Sequence, residues 1–370
     1  MRLRRRCKRI LIPLGLLLAA VAGAEWAARS LSPTAHPVPD QRGQQATEER
    51  EGVTWLVPNY RGRLVSSEFD TAVRTNASGL RGPELSTGMT LQRVLLLGDS
   101  FAFGWGVEEG EAFGHLAQTL ASQQGAPFEL LNGGVPGDGP LQEVVRVKAS
   151  CPALKPGLVL LEIYDGNDLP DLLFGALPKE VDPALMERLQ VVRDRARVRD
   201  PWDHLLRERS ALYKLFLGLK SRAGSSLGWS GFEEDPFHQY WVPDEARPEA
   251  LGLLATALGN IDAEARACGS KLAVVIVPSV ASIEHARQSE ARVKELSQID
   301  AGVRAWAEKA GVPLLDLGPV LRERFARAPT ERLYYRFDLH LNARGHAVAA
   351  EALAPFLTRT LSAMKTPGLP

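Results

Sequence analysis

Ser100 stands at the end of Leu95-Leu96-Leu97-Gly98-Asp99-Ser100, where an apolar run breaks into one glycine and two polar residues. A hydroxyl at the first turn after a strand, feeding a helix, sits at the open edge of a sheet. Free helix N–H groups nearby suit a developing oxyanion. Gly98, Gly104 and Gly106 permit tight backbone around it. Position 102 is Ala, so this is not a G-x-S-x-G nucleophile elbow. Three other segments supply company for the serine. Asn132-Gly133-Gly134-Val135-Pro136-Gly137-Asp138-Gly139 is a loop in which glycine lets a backbone N–H approach a ligand. Tyr164-Asp165-Gly166-Asn167-Asp168 offers a carboxamide donor, and Asp338-Leu339-His340 offers an imidazole beside a carboxylate. A serine activated by a histidine base, facing N–H and carboxamide donors, is the equipment of acyl transfer. Other polar residues read as structural: Asp99 and Asp168 as turn residues, His346 as a cap or start of the last helix, His238 as a packed residue among aromatics.

The elements that must position these side chains alternate from Arg93 almost to the C-terminus. Short apolar runs at Val94–Leu97, Glu129–Leu131, Leu158–Ile163, Leu272–Val277 and Val312–Asp316 read as strands. Helical stretches intervene, among them Ala112–Gln123, Leu141–Ala149, Ala250–Ala267 and Ile283–Ala310. Runs apolar on both faces suit a parallel sheet covered by helices, so the fold class is α/β, a three-layer α/β/α sandwich with a five-stranded, mostly parallel, doubly wound sheet. All four chemical segments then follow strand carboxyl ends, where such sheets bind ligands.

These four blocks resemble the SGNH (GDSL-like) hydrolase family: Gly98-Asp99-Ser100, a glycine after the second strand, Gly166-Asn167-Asp168 after the third, and a C-terminal Asp–His pair. The likeness runs from about Arg93 to Leu357, and the upstream stretch Arg74–Gly82 is similar to membrane-anchored bacterial members. Two departures stand out. Asp165 lies where the family often has glycine, and Asp338 and His340 are separated by one residue instead of the usual two. The resemblance implies a flavodoxin-like SGNH sheet and catalytic roles for Ser100 as nucleophile, His340 as general base and Asp338 as its orienting partner. It implies an oxyanion hole from the N–H groups of Ser100 and Gly137 and the amide of Asn167.

Composition bounds the rest. The 370 residues carry 44 basic and 44 acidic side chains. Arg2, Arg4, Arg5, Arg6, Lys8 and Arg9 crowd the first nine positions; without them 38 basic side chains face 44 acidic ones, a formal charge of −6. A mildly acidic body is unsuited to nucleic acid. The uncharged run Ile10–Ala24 behind that cationic stretch is an export signal, either cleaved near Ala22-Gly23-Ala24 or retained through residue 28 as an inner-membrane anchor, with the rest on the extracytoplasmic side. The expected organisation is residues 1–28 anchor or signal peptide, 29–52 linker, 53–92 N-terminal extension, 93–362 hydrolase domain, and 363–370 tail. About eighty residues separate the third strand from the helix at Ala250, an insertion at about 170–249. It holds a helix expected at Arg209–Lys220 and the aromatics Trp229, Phe232, Phe237, Tyr240 and Trp241, as a cap over the site or as an extra subdomain. Cys7 precedes the apolar run. Cys151 and Cys268 end helices expected to be neighbours on one face of the sheet, which leaves a disulfide and two buried thiols both open.

Neither a P-loop, a Gly-x-Gly-x-x-Gly fingerprint nor metal-ligand spacing appears, so no cofactor or metal is expected. The expected function is an exported ester hydrolase, a carbohydrate O-deacetylase or short-acyl esterase, whose partner is a small-molecule or polysaccharide ester. An envelope polysaccharide O-acetyltransferase would use the same Ser–His–Asp set, with a sugar hydroxyl in place of water. A non-catalytic glycan-binding scaffold is the third reading.

Overall fold

A computed structural model describes residues 19–28, 36–38, 46–87, 91–179, 181–195, 197–198, 210, 212–213, 240–242, 244–283, 290–336 and 338–365. Chain order gives twelve strands among them: β1 (His36–Val38), β2 (Thr47–Arg50), β3 (Val53–Leu56), β4 (Arg61–Val65), β5 (Asp70–Arg74), β6 (Arg93–Leu97), β7 (Glu129–Asn132), β8 (Leu158–Tyr164), β9 (Arg197–Val198), β10 (Tyr240–Trp241), β11 (Lys271–Val277) and β12 (Leu314–Asp316). The main sheet runs β12-β11-β8-β6-β7, every pair parallel. Each of the five expected strands is present, within two residues of its expected limits.

Side-chain alternation explains why these strands read as continuous apolar runs. Leu95, Leu97, Val159, Leu161, Ile163, Val274 and Ile276 face one core. Val94, Leu96, Leu158, Leu160, Ala273, Val275 and Val277 face the other. The first core is closed by helices Pro140–Leu154, Asp168–Phe174, Pro183–Arg195, Arg247–Ala267 and Glu290–Ala310, the second by helices Phe113–Gln123, Gly318–Arg327 and Ala343–Lys365. Nearly all these strand residues are wholly buried, and each such aliphatic side chain stabilises the fold by roughly 1.5–3 kcal/mol. One position in β8 breaks the pattern: Glu162 is buried among them.

Upstream of β6 the chain forms a small antiparallel sheet, β1-β4-β5, and the hairpin β2-β3. A third core of Leu56, Tyr60, Leu64, Phe69 and Val73 packs this extension against Phe103 and Val135, beside the loops that follow β6 and β7. Within the long connection after β8, Leu185, Leu189 and Val192 join the first core, so its opening stretch covers the sheet. Trp229, Phe232, Phe237, His238 and nearly all of the helix expected at Arg209–Lys220 lie outside the described residues. So do Cys7 and residues 10–18 of the apolar run. Residues 19–28 are helical, and no helix among the described residues is long and apolar enough to cross a membrane.

Cys151, in the last turn of helix Pro140–Leu154, is bridged to Cys268, the cap of helix Arg247–Ala267, with Cα atoms 6.1 Å apart. Each helix feeds the strand behind it, and β8 and β11 are paired neighbours, which is why the two helix ends meet. The bridge closes a loop of 117 positions. Replacing both cysteines by serine should lower unfolding free energy by about 2–5 kcal/mol. Denaturant titration of oxidised wild type against the double variant checks this, and equal midpoints would contradict it.

Candidate active site

Ser100 is set by β6 and by a glycine that its neighbour requires. At Gly98 (φ 145°) a Cβ would lie 2.4 Å from Glu162 Oε2 and 2.8 Å from Glu162 Cβ, so only hydrogen fits there. Asp99 then caps the short helix Ser100–Phe103, its Oδ1 accepting from the Phe101 N–H at 2.7 Å. The loop after β7 is tied to the same helix: Asn132 Nδ2 donates to Ala102 O at 3.0 Å, while Asn132 Oδ1 accepts from the Gly134 N–H at 3.0 Å. That fixes the backbone leading to Gly137, an exposed residue in the left-handed region (φ 82°) where a Cβ would meet open space. Neither Gly137 N–H nor Ser100 N–H has a partner among the described residues.

Asn167 follows β8 and caps the helix Asp168–Phe174. Its Nδ2 donates to Asp99 Oδ2 at 3.1 Å, which turns the amide nitrogen toward the serine turn and leaves a second amide hydrogen for another acceptor. Asp168 accepts from the Tyr164 N–H at 2.8 Å and so closes its own turn, as expected. Asp165 has a structural explanation. It is wholly buried and accepts from the Ser279 N–H at 2.6 Å and from the Ser282 hydroxyl, joining the loop after β8 to the loop after β11.

His340 Nε2 lies 2.7 Å from Ser100 Oγ, and His340 Nδ1 lies 2.6 Å from Asp338 Oδ1. The one-residue spacing works because Leu339 is left-handed (φ 68°), which folds Asp338 back onto the ring of its near neighbour. For a leucine that conformation costs about 1–2 kcal/mol. The segment is a hairpin tip: Tyr335 N–H donates to His340 O at 2.8 Å and Asn342 N–H to Leu333 O at 3.0 Å. Trp105 Nε1 donates to Asp338 Oδ2 at 3.3 Å, and the Tyr335 hydroxyl donates to Gly106 O at 2.6 Å. Phe101 packs against the imidazole at 4.8 Å between centroids and stacks on Tyr164 at 4.1 Å. The structure therefore brings Ser100, His340 and Asp338 into one hydrogen-bonded line, with Gly137 and Asn167 on neighbouring loops at the same sheet edge.

His346 lies in the first turn of the final helix, as expected, but does not cap it. Asn342 caps the final helix, its Oδ1 accepting from Arg344 and Gly345 N–H. His346, buried one turn later, accepts the Phe113 N–H at 3.2 Å and stacks on that ring, serving the start of another helix whose Ala112 has no side-chain cap. Burial pulls its imidazole down to about 3, so it stays neutral.

Beneath the serine turn lies a group of buried carboxyls that the sequence did not advertise, Asp99, Asp138, Glu143, Glu162 and Asp168, with Asp171 half-buried beside them. Arg146 answers only part of this charge, bonding Asp138. Burial pushes Glu143, Glu162 and Asp168 well above the carboxylate range, and mutual repulsion adds to it. Burial likewise raises Asp99, against the pull of the Phe101 N–H, His340 and Asn167. Asp138 is raised to about 6 and Asp171 to about 8. Among the described residues no group of His, Cys, Asp or Glu could hold a metal ion. A cavity of about 200 Å3 lies beside the site, between Leu56, Tyr60, Leu64 and Val73 of the extension and Phe103, Trp105 and Pro136 of the active loops.

Against known proteins, residues 96–348 match the GDSL-like Lipase/Acylhydrolase family, and the chain belongs to that family. Solved structures similar to it include the psychrotrophic esterase EstA from Pseudoalteromonas sp., 13% identical, covering 73% of this chain and 99% of its own, TM-score 0.39. The lipase/acylhydrolase from Enterococcus faecalis is 14% identical over 76% of this chain and 100% of its own, TM-score 0.39. A GDSL-like lipase from Bacteroides thetaiotaomicron VPI-5482 is 11% identical over 75% and 93%, TM-score 0.36. No curated protein matches the sequence.

The raised carboxyls make stability depend on pH in a definite direction. A carboxyl whose folded value is raised contributes stability that is complete below its unfolded value near 4 and is lost as pH rises through the folded value. Above about pH 7.5 the depressed histidines, His346 and His115 (about 4), are neutral whether folded or unfolded, so they no longer oppose the acids. Between about pH 7.5 and 9 unfolding free energy should fall, by about 1 kcal/mol from Asp171 alone. Glu143→Gln, which keeps the shape but cannot ionise, should flatten that slope. Urea titrations across this range test both, and stability rising with pH would contradict the assignment.

Proposed function

We propose that this member of the GDSL-like lipase/acylhydrolase family is an extracytoplasmic serine ester hydrolase, a carbohydrate O-deacetylase or short-acyl esterase, working through an acyl-Ser100 intermediate. The observation that carries the reading is the line Ser100 Oγ–His340 Nε2 (2.7 Å) and His340 Nδ1–Asp338 Oδ1 (2.6 Å). Both distances lie within hydrogen-bond reach for a nucleophile and its base and for a base and its orienting group. As Ser100 Oγ attacks the ester carbonyl, His340 takes its proton, and Asp338 holds the tautomer that leaves Nε2 free and stabilises the imidazolium. The tetrahedral oxyanion is received by the N–H groups of Ser100 and Gly137 and by the second amide hydrogen of Asn167. Each such donor lowers the barrier by about 3 kcal/mol. His340 then returns the proton to the leaving alcohol, and water, activated by the same imidazole, cleaves the acyl-serine.

The extracytoplasmic setting is supported by the cationic stretch before an apolar run and by the Cys151–Cys268 bridge, since disulfides persist in oxidising compartments. Anchoring to the inner membrane rests on the same run, residues 10–28, and remains part of the proposal. The intact line from serine to carboxylate weighs against a non-catalytic scaffold.

The test is hydrolysis of p-nitrophenyl acetate by the protein from about residue 30 onward. Ser100→Ala should abolish turnover, and Asp338→Asn should lower kcat by about 100- to 10,000-fold while leaving the fold intact. Asn167→Ala should cost about 100- to 1,000-fold. An Asp338→Asn variant as fast as wild type would remove that carboxylate from the machinery. Formation of acetylated sugar in preference to free acetate, with an oligosaccharide acceptor present, would convert the hydrolase reading into the transferase one.

A further inference from the structure

The turn between β4 and β5 reaches the His340 loop from outside the span that matches the family. Ser66 shapes it: its Oγ accepts from the N–H groups of Glu68 (3.0 Å) and Phe69 (3.2 Å), and its own N–H donates to Phe69 O at 2.8 Å. Out of this turn Glu68 presents both carboxylate oxygens to one short piece of backbone. Oε1 accepts from the Arg336 N–H at 2.7 Å, and Oε2 from the Asp338 N–H at 2.9 Å. Phe69 packs beside it on Tyr335, ring centroids 4.9 Å apart.

From this geometry we infer that Glu68 is a positioning residue for acyl transfer, clamping the hairpin tip so that Asp338 stays on His340. The inference rests on the reading of Ser100, His340 and Asp338 given above. Four residues, 336–339, separate the paired Tyr335 and His340, and one of them is a strained left-handed leucine. Such a tip relaxes unless something outside it holds it. Trp105 holds the Asp338 side chain only through a long bond of 3.3 Å. Glu68 instead grips the backbone N–H of Asp338 itself, by a charge-assisted bond of the stronger kind. The arrangement places a second anion next to Asp338, a repulsion that the two N–H groups help to offset. A displacement of about 1 Å at such a place costs about 100-fold in rate.

Glu68→Gln retains the shape and one acceptor oxygen, and Glu68→Ala retains neither. With p-nitrophenyl acetate, kcat should fall by about 10-fold in the first and about 100-fold in the second, with KM unchanged within about twofold. The far-downfield proton resonance expected for His340 Nδ1–H in wild type should shift or broaden in both. Placed in an Asp338→Asn background, Glu68→Gln should cost nothing further, because the clamp acts through Asp338. Folded Glu68 variants with kcat within twofold of wild type and an unchanged resonance would overturn the inference, as would losses that multiply in the double variant. Should Glu68→Ala fail to fold, Ser66→Ala, which loosens only the turn, should still lower kcat; an unchanged kcat there would count against the clamp. Ser100→Ala measured alongside separates the two readings. If it keeps turnover, the site itself has been misread; if it is inactive while the Glu68 variants are unimpaired, the clamp alone fails.

Discussion

Between Ser100 Oγ and His340 Nε2 there are 2.7 Å of space and 240 positions of chain, and almost everything in the molecule bears on keeping that gap closed. A hydrogen bond of this length tolerates errors of a few tenths of an ångström, far less than a loop alone can guarantee. The parallel sheet supplies the first layer of control by delivering β6, β7 and β8 to one edge with their loops converging. The second layer is local: Asn132 tied to the serine helix, Asn167 tied to Asp99, and Tyr335 tied to both Gly106 and the far side of its own hairpin. All but the last of these bonds tie separate segments of the site to one another.

The same edge carries a chemical cost. Holding the serine turn against β8 brings Glu162 under Gly98, and the helices that flank the turn add Glu143, Asp168 and Asp171. A core chosen for stability alone would put aliphatic side chains there, as it does at nearly every neighbouring position of β8. Local rules broken at one place, with the rest of the sheet obeying them, are the usual mark of a region shaped for something other than stability.

The sheet was legible because its strands are apolar on both faces and bounded by turn residues. Ser100, Asn167 and His340 were legible because their types have few other reasons to follow strand ends together. The neighbouring helix ends at Cys151 and Cys268 were legible too, since βαβ order fixes which helices lie side by side. Other features depend on contacts that no local pattern encodes. Glu68 sits in an ordinary polar turn, and its importance comes from a segment 270 positions away. Glu162 hides inside an apolar run, and His346 serves a helix start 233 positions away. Leu339 is the partial exception. An Asp-x-His spacing one residue short asks for an unusual backbone to bring the two side chains together, and here Leu339 turns left-handed.

Arg81 gives the N-terminal extension a further meaning. It is 2% exposed, its guanidinium lies over the Phe103 ring, and it donates to Phe103 O at 2.6 Å, Gly104 O at 2.5 Å and Val107 O at 2.6 Å. Two of these carbonyls end the serine helix and the third lies in the turn that follows it. A chain begun where the family match begins would lose this buried cation and leave a polar hole beside the serine helix, with Val107 O stripped of its donor. In architectural terms the extension is no appendage laid beside the hydrolase domain. Through Arg81 it is built into the packing of the serine helix itself.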